Sequence, residues 1–327
     1  MDFGKLSPAE LKTVDLSLPP DPAWNKTILT GKKIDNPKIY VGCAKWGRTE
    51  WVGKIYPEGT KEAKFLDHYV EHYNSIELNA THYKTYPPSS IQKWADKASG
   101  KDFIFCPKVP QTISHYSSFV DIEDKTNAFL EGIYAFGKHL GPIFLQVSDR
   151  FSPKRKETLL KYLESLPTDL QFFLEVRNPK WFEAKAEIEG LLKTLNRLNV
   201  GYIITDTAGR RDCVHMYLTV PRAFVRFVGN SLDPSDYARI DSWVERIKCW
   251  LDNGLKELYF FMHMHDETFS PELSSYLIRE LNSKCNLSLK EPLFISELPS
   301  DKSKKETGAA SKTTTKAKND KSQESLF

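Results

Sequence analysis

Eight short runs of apolar, β-branched and aromatic residues recur along this chain, beginning at Ile39, Ile76, Phe103, Ile143, Phe172, Tyr202, Ala223 and Leu258. Their spacing averages roughly 31 residues, the length that one strand, one helix and two loops require. Between the runs the apolar period changes to that of a helix. Phe65, Leu66, Tyr69, Val70 and Tyr73 form one stripe and Leu159, Leu160, Leu163 and Leu166 a second. Ile188, Leu191, Leu192, Leu195 and Leu198 form a third, and Ile240, Trp243, Val244, Ile247 and Leu251 a fourth. The alternation predicts an α/β chain, a (β/α)8 TIM-type barrel. The segment from Thr207 to Arg222 is too short for an ordinary helix and two loops, so the barrel should be irregular, with one helix reduced or missing between strands 6 and 7.

A chain of 327 residues, 40% apolar and 12% aromatic, can bury one large core. Three segments are expected: an irregular N-terminal arm over residues 1–37, the barrel over 38–297, and a Lys/Ser/Thr-rich tail over 298–327 that is too polar to offset its ordering entropy. The last 27 residues hold seven Lys against four acidic residues, which accounts for the whole chain's +3. The first 300 residues are therefore formally neutral, which argues against a large footprint on duplex nucleic acid. No apolar run approaches the roughly 18 residues needed to cross a bilayer, and the acidic, proline-containing start is unlike a signal peptide, so the expected location is cytoplasmic. The five cysteines share no zinc-like spacing and are expected to be buried free thiols.

Strand parity sorts the polar residues. Side chains alternate across a strand, so Glu77 and Asn79 share a face, as do Glu175 and Arg177, and His263 and His265. Lys108, Gln146 and Asp206 end their runs, and Arg226 lies within AFVRFVG. If these faces point inward, they converge on the C-terminal mouth, where barrels of this type place their active sites. Such a set is costly to bury unless it is paired or meets a ligand. Glu175 with Arg177 reads equally well as an ion pair that holds the mouth together.

In these segments the chain resembles the YecE-like barrels, also called domain of unknown function 72. The resemblance runs from about Ile39 to Asp266 and rests on VGCAKWGRTEWVGKIYP, FLDHYVEHYNSIELNATHY, KVPQTISH, LGPIFLQVSDRF, LEVRNPKWF, ITDTAG and FVRFVGN, in that order. It implies a TIM-type barrel and no particular reaction. It carries over Trp46, Glu77, Asn79, Tyr83, Lys108, His115, Gln146, Glu175, Arg177, Trp181, Asp206 and Arg226 as characteristic positions. The chain departs from the usual pattern at Cys43-Ala44-Lys45, and at Val228, where many members have His. His263 or His265 is expected to replace that imidazole from the neighbouring strand.

Three functional readings follow. In the first, a nucleic-acid-processing phosphodiesterase, Glu77, Glu175, Asp206 and His263 would hold one or two divalent metal ions that activate water. Lys108, Arg177 and Arg226 would bind phosphate, and Trp46 or Tyr83 would stack a base. In the second, an isomerase or hydrolase of a sugar or phosphosugar, Glu175 is the base and Lys108 the electrostatic stabiliser; whichever the reaction, Trp46, Asn79, Tyr83, His115, Gln146, Arg226 and His263 are the candidates for binding substrate. The third is a non-catalytic adaptor. The last five residues, Gln323 to Phe327, resemble the Gln-x-x-Leu-Phe pentapeptide that binds the bacterial sliding clamp, with Gln323, Leu326 and Phe327 as anchors. As a ligand-binding residue and not a structural one, Glu77 should cost little stability when replaced by Ala.

Overall fold

A computed structural model describes residues 4–183 and 185–297. Eight parallel strands form the sheet: β1 Lys38–Cys43, β2 Ser75–Leu78, β3 Ile104–Pro107, β4 Ile143–Gln146, β5 Phe172–Glu175, β6 Gly201–Asp206, β7 Arg222–Gly229 and β8 Glu257–Met264. Their order is β3-β2-β1-β8-β7-β6-β5-β4. β3 and β4 meet at the seam through single bridges, Phe105 with Leu140 and Lys108 with Phe144. The backbone bonds Gly141 N–H to Phe105 O (2.8 Å) and Val109 N–H to Phe144 O (2.9 Å) stitch that seam. The result is a TIM-type barrel, and each strand begins within one residue of its predicted run.

The four predicted helical stripes lie on helices Phe65–His72, Lys156–Glu164, Lys185–Arg197 and Pro234–Asp252, each turning its apolar face onto the sheet. Inside the barrel a second apolar layer comprises Tyr40, Ile104, Cys106, Phe144, Phe173, Ile203, Phe224, Tyr259 and Phe261. Both faces of every strand are thus buried, as parallel sheets require. Gly201 shows how tightly the inner layer is filled: a Cβ there would lie 2.1 Å from the Phe173 ring.

Between β6 and β7 the chain forms one turn of 3-10 helix, Arg211–Cys213, and no α-helix. The N-terminal arm occupies the vacated position. Trp24 Nε1 donates to Leu218 O at 2.8 Å, and Asn25 exchanges bonds with Met216 O (2.7 Å) and Leu218 N (2.9 Å). Asp21 accepts from Arg246 and Trp250 on the next helix, and Gly209 N–H meets Gly4 O at 2.9 Å. The arm therefore supplies the polar and apolar cover that a sixth helix normally gives. No described helix is long and apolar enough to cross a membrane. Cys43, Cys106 and Cys213 are buried free thiols, whereas Cys249 is exposed and Cys285 half-buried, which corrects the expectation for those two.

Candidate active site

Above the apolar layer, the inward positions of five strands change from hydrocarbon to charge. Arg226 of β7 is the centre. Its Nε and Nη2 grip Glu77 Oε2 and Oε1 at 2.8 Å each, and its Nη1 donates to Glu175 Oε2 at 2.7 Å. This fork geometry is the strongest form of carboxylate pairing. Glu175 Oε1 also accepts from Arg177 Nε (2.5 Å) and Thr205 Oγ1 (2.6 Å). Glu77 takes further bonds from Asn79 Nδ2 (2.8 Å) and His263 Nε2 (2.9 Å). Glu77, Glu175, Arg226 and His263 are each at most 1% exposed.

Burial alone would raise both carboxyls, but the guanidiniums and hydrogen bonds around them outweigh it. Arg226 and then His263 hold Glu77 well below the usual carboxylate range, and Arg177 with Arg226 brings Glu175 down to about 2. Burial works against the Arg226 charge, and the two carboxylates more than restore it. The four charges, two of each sign, satisfy one another.

Lys108 stands apart from this balance. It leaves β3 at the seam, is 7% exposed, and directs Nζ to Gln146 Oε1 at 2.8 Å across the seam. Among the described residues no carboxylate lies within ion-pair distance of it. Phe144 forms a common floor, its ring centre 5.8 Å from Lys108 Nζ and 5.6 Å from the Arg226 guanidinium. Burial, then Arg226 and Arg177, push the amine down to about 7. Two imidazoles border it. His82 donates Nδ1–H to Val109 O (2.9 Å), and its ring centre lies 4.9 Å from that of His115, whose Nδ1 is 2.8 Å from Ser114 Oγ. Burial and the Lys108 charge bring His82 down to about 3 and also lower His115, so both are neutral bases.

The structure thus brings together Glu77, Asn79, Lys108, His115, Gln146, Glu175, Arg177, Arg226 and His263. Tyr83 lies at the rim, 69% exposed, its ring edge-on to His82 at 5.3 Å. The Trp46 ring packs edge-on against Trp94 at 5.5 Å, and Trp181 is fully buried with Nε1 on Phe151 O (2.8 Å).

Asp206 is elsewhere, which corrects the inward assignment made for it. In β6 the inward residues are Ile203 and Thr205, so Asp206 points out into the layer beneath helix Pro234–Asp252. There Arg239 Nη2 (2.9 Å), Trp243 Nε1 (2.7 Å) and Arg211 Nη1 enclose it. Sequence reasoning missed Thr205 for the same reason, because GYIITD is apolar on both faces and carries no alternation to set its parity. It also missed His82, whose place beside Lys108 depends on the turn after β2.

The donor set does not fit a divalent metal. Both Glu77 oxygens and Glu175 Oε2 already face one guanidinium, and Asp206 lies on the other side of the sheet. Among the described residues no group of three or more His, Cys, Asp or Glu side chains could hold such an ion.

The family model described as "Protein of unknown function DUF72" matches residues 40–294. The chain belongs to the DUF72 family. It is 28% identical over 261 residues to the UPF0759 protein YecE of Escherichia coli K12, covering 74% of this chain and 92% of YecE. It is likewise 28% identical over 151 residues to the UPF0759 protein YunF of Bacillus subtilis, covering 44% of this chain and 52% of YunF. Among solved structures, a DUF72 protein from Enterococcus faecalis superposes with TM-score 0.61 at 19% identity, over 77% of this chain and 99% of that one. One from Thermotoga maritima gives 0.57 at 21% identity, over 75% and 99%. These likenesses concern the fold. Within this DUF72 chain the residue at the expected histidine position, Val228, pairs in register with His263 on β8. His263, one strand over, puts its Nε2 on Glu77 Oε2 at 2.9 Å.

Proposed function

We propose that this protein is an enzyme acting on a small anionic metabolite, a phosphosugar or related compound, with Lys108 as its working amine. One observation carries the reading: Lys108 is buried at the mouth with an amide as its hydrogen-bond partner and no neutralising carboxylate among the described residues. A fold gains nothing from desolvating such a group, whereas a ligand anion would supply the missing charge. The base role moves from Glu175 to Lys108. Glu175, down to about 2 and holding Arg177, Arg226 and Thr205, is a poor proton acceptor at neutral pH, while an amine near 7 is matched to that task. The metal-dependent phosphodiesterase reading loses its support with the donor set.

A thermal-shift titration tests this. Ribose 5-phosphate or inorganic phosphate should raise the melting midpoint, equally with and without a chelator, and Lys108→Gln should remove the shift. No shift at millimolar concentration would sink the reading.

A link to replication has separate support in the pentapeptide Gln323 to Phe327, which lies outside the described residues, as does the tail from 298 onward. We propose a bacterial sliding clamp as the partner of that segment. A peptide covering Lys312 to Phe327 should bind it with roughly micromolar affinity, about 8 kcal/mol. Replacing Leu326 and Phe327 by Ala should abolish binding, and equal binding by the doubly substituted peptide would remove the link.

A further inference from the structure

The mouth offers chemistry more specific than anion binding. We propose that Lys108 forms an imine with the carbonyl carbon of a small aldehyde or ketone that also carries a phosphate or carboxylate group. This rests on the small-molecule reading above and names its substrate class and bond-making step.

The geometry supplies the parts. Lys108 Nζ lies over the Phe144 ring beside the charged cluster, anchored by one bond to Gln146 Oε1. An amide oxygen accepts one N–H and leaves the nitrogen lone pair available. The charged groups that act on it are Glu77 from β2, Glu175 from β5, Arg177 just after β5 and Arg226 from β7, and the imidazoles of His82 and His115, after β2 and β3, feel its charge in turn. The carboxylates among them are occupied by the two arginines, so the cations dominate, and the amine lies near 7. A large fraction is then the free amine at neutral pH, whereas an ordinary lysine is almost wholly ammonium.

The step balances as a condensation. The Nζ lone pair attacks the carbonyl carbon while the C=O π pair moves to oxygen, giving a carbinolamine after one proton passes from nitrogen to oxygen. Protonation of the hydroxyl then expels it as water as the nitrogen lone pair forms C=N. In total, amine, carbonyl compound and one proton give a protonated imine and water. His115, held neutral by burial and the Lys108 charge, is the base that relays this proton, whereas His82, down to about 3 and donating Nδ1–H to Val109 O, is too weak a base for the task. A protonated imine among Arg177 and Arg226 restores the positive charge that burial disfavours. An anionic substituent on the same substrate offsets it, which is why the substrate class needs one.

Borohydride trapping on the full chain tests this. Glyoxylate, glycolaldehyde phosphate and uncharged glycolaldehyde are each incubated with the protein at pH 7.5, reduced, and the modified lysines mapped by peptide mass. Lys108 should gain the mass of the probe minus one oxygen. It should be labelled about tenfold or more ahead of the surface lysines, because far more of it is free amine. Either anionic probe should exceed glycolaldehyde, and the better of the two identifies phosphate or carboxylate as the recognised group. Mapping the unaltered chain needs no variant to fold, and Lys108→Arg, checked by its melting curve, should lose the selective adduct. Labelling spread over surface lysines with Lys108 not ahead for either anionic probe overturns the imine. If phosphate still raises the melting midpoint in that case, the small-anion site stands without the imine; if it does not, the site reading falls as well.

Discussion

Two buried ionic clusters lie on opposite faces of the same sheet, and the adjacent residues Thr205 and Asp206 of β6 each serve one of them. The inner one joins Glu77, Glu175, Arg177 and Arg226 beside Lys108; the outer one joins Asp206, Asp236, Arg211 and Arg239 beneath helix Pro234–Asp252. Each holds a depressed carboxylate: burial opposes the charge of Asp206, and Arg239 and Arg211 outweigh it, as Arg226 does for Glu77, whereas at Asp236 burial prevails and raises the carboxyl. The outer cluster is spent on architecture. Arg239 donates to Val228 O and Asp206 O (3.0 Å each), and Asp236 accepts the backbone N–H of Asn230 and Leu232, which pins the turn between β7 and its helix. The inner cluster contains a cation the fold does not neutralise. Burial and ion pairing therefore do not mark function by themselves; an unmatched charge facing the mouth does.

The largest expected effect would test the inner cluster as a unit. Arg226→Met leaves two buried carboxylates without their shared cation and should cost about 3–5 kcal/mol in a denaturant titration. The acid limb should also move. Glu175 lies at about 2 against an ordinary 4.5, so its stabilisation is complete above about 4.5 and is lost as pH falls toward 2. Without Arg226 that loss should begin at higher pH. Glu77→Ala should likewise be strongly destabilising, contrary to the small cost expected from sequence, because Glu77 is fully buried and holds Arg226.

Arg239→Met should cost less, about 2–4 kcal/mol, because Asp206 keeps Arg211 and Trp243. It should leave the phosphate-induced thermal shift intact. Loss of that shift would break the distinction between the two clusters.

Lys108→Met has the opposite sign. Its charge is disfavoured in the fold, so its penalty is fully present below about 7 and disappears above the ordinary 10.5. The variant should be more stable by ~1–3 kcal/mol near pH 6, with the gain shrinking as pH rises toward 10.5. A variant less stable at every pH would make Lys108 a packing residue. The smallest effect should come from Thr205→Val, about 1 kcal/mol, as Glu175 loses one donor and keeps both guanidinium bonds.

Much of this molecule is legible in the order of its residues. Strand and helix periods, the spacing of the runs and the shortened β6–β7 link were sufficient for an irregular barrel, because those patterns express local geometry and burial. The polar residues at strand ends located the mouth, since parallel strands align their C-termini. Tertiary structure decided which face each charge takes where a strand is apolar on both sides, as at Thr205 and Asp206. It also decided which charges meet: Glu77 and Arg226 are 149 residues apart, and their fork depends on the register of the four strands β2, β1, β8 and β7. The state of Lys108 follows from the same closure, because a lysine's proton affinity depends on the charges around it in space, and sequence neighbours say little about those.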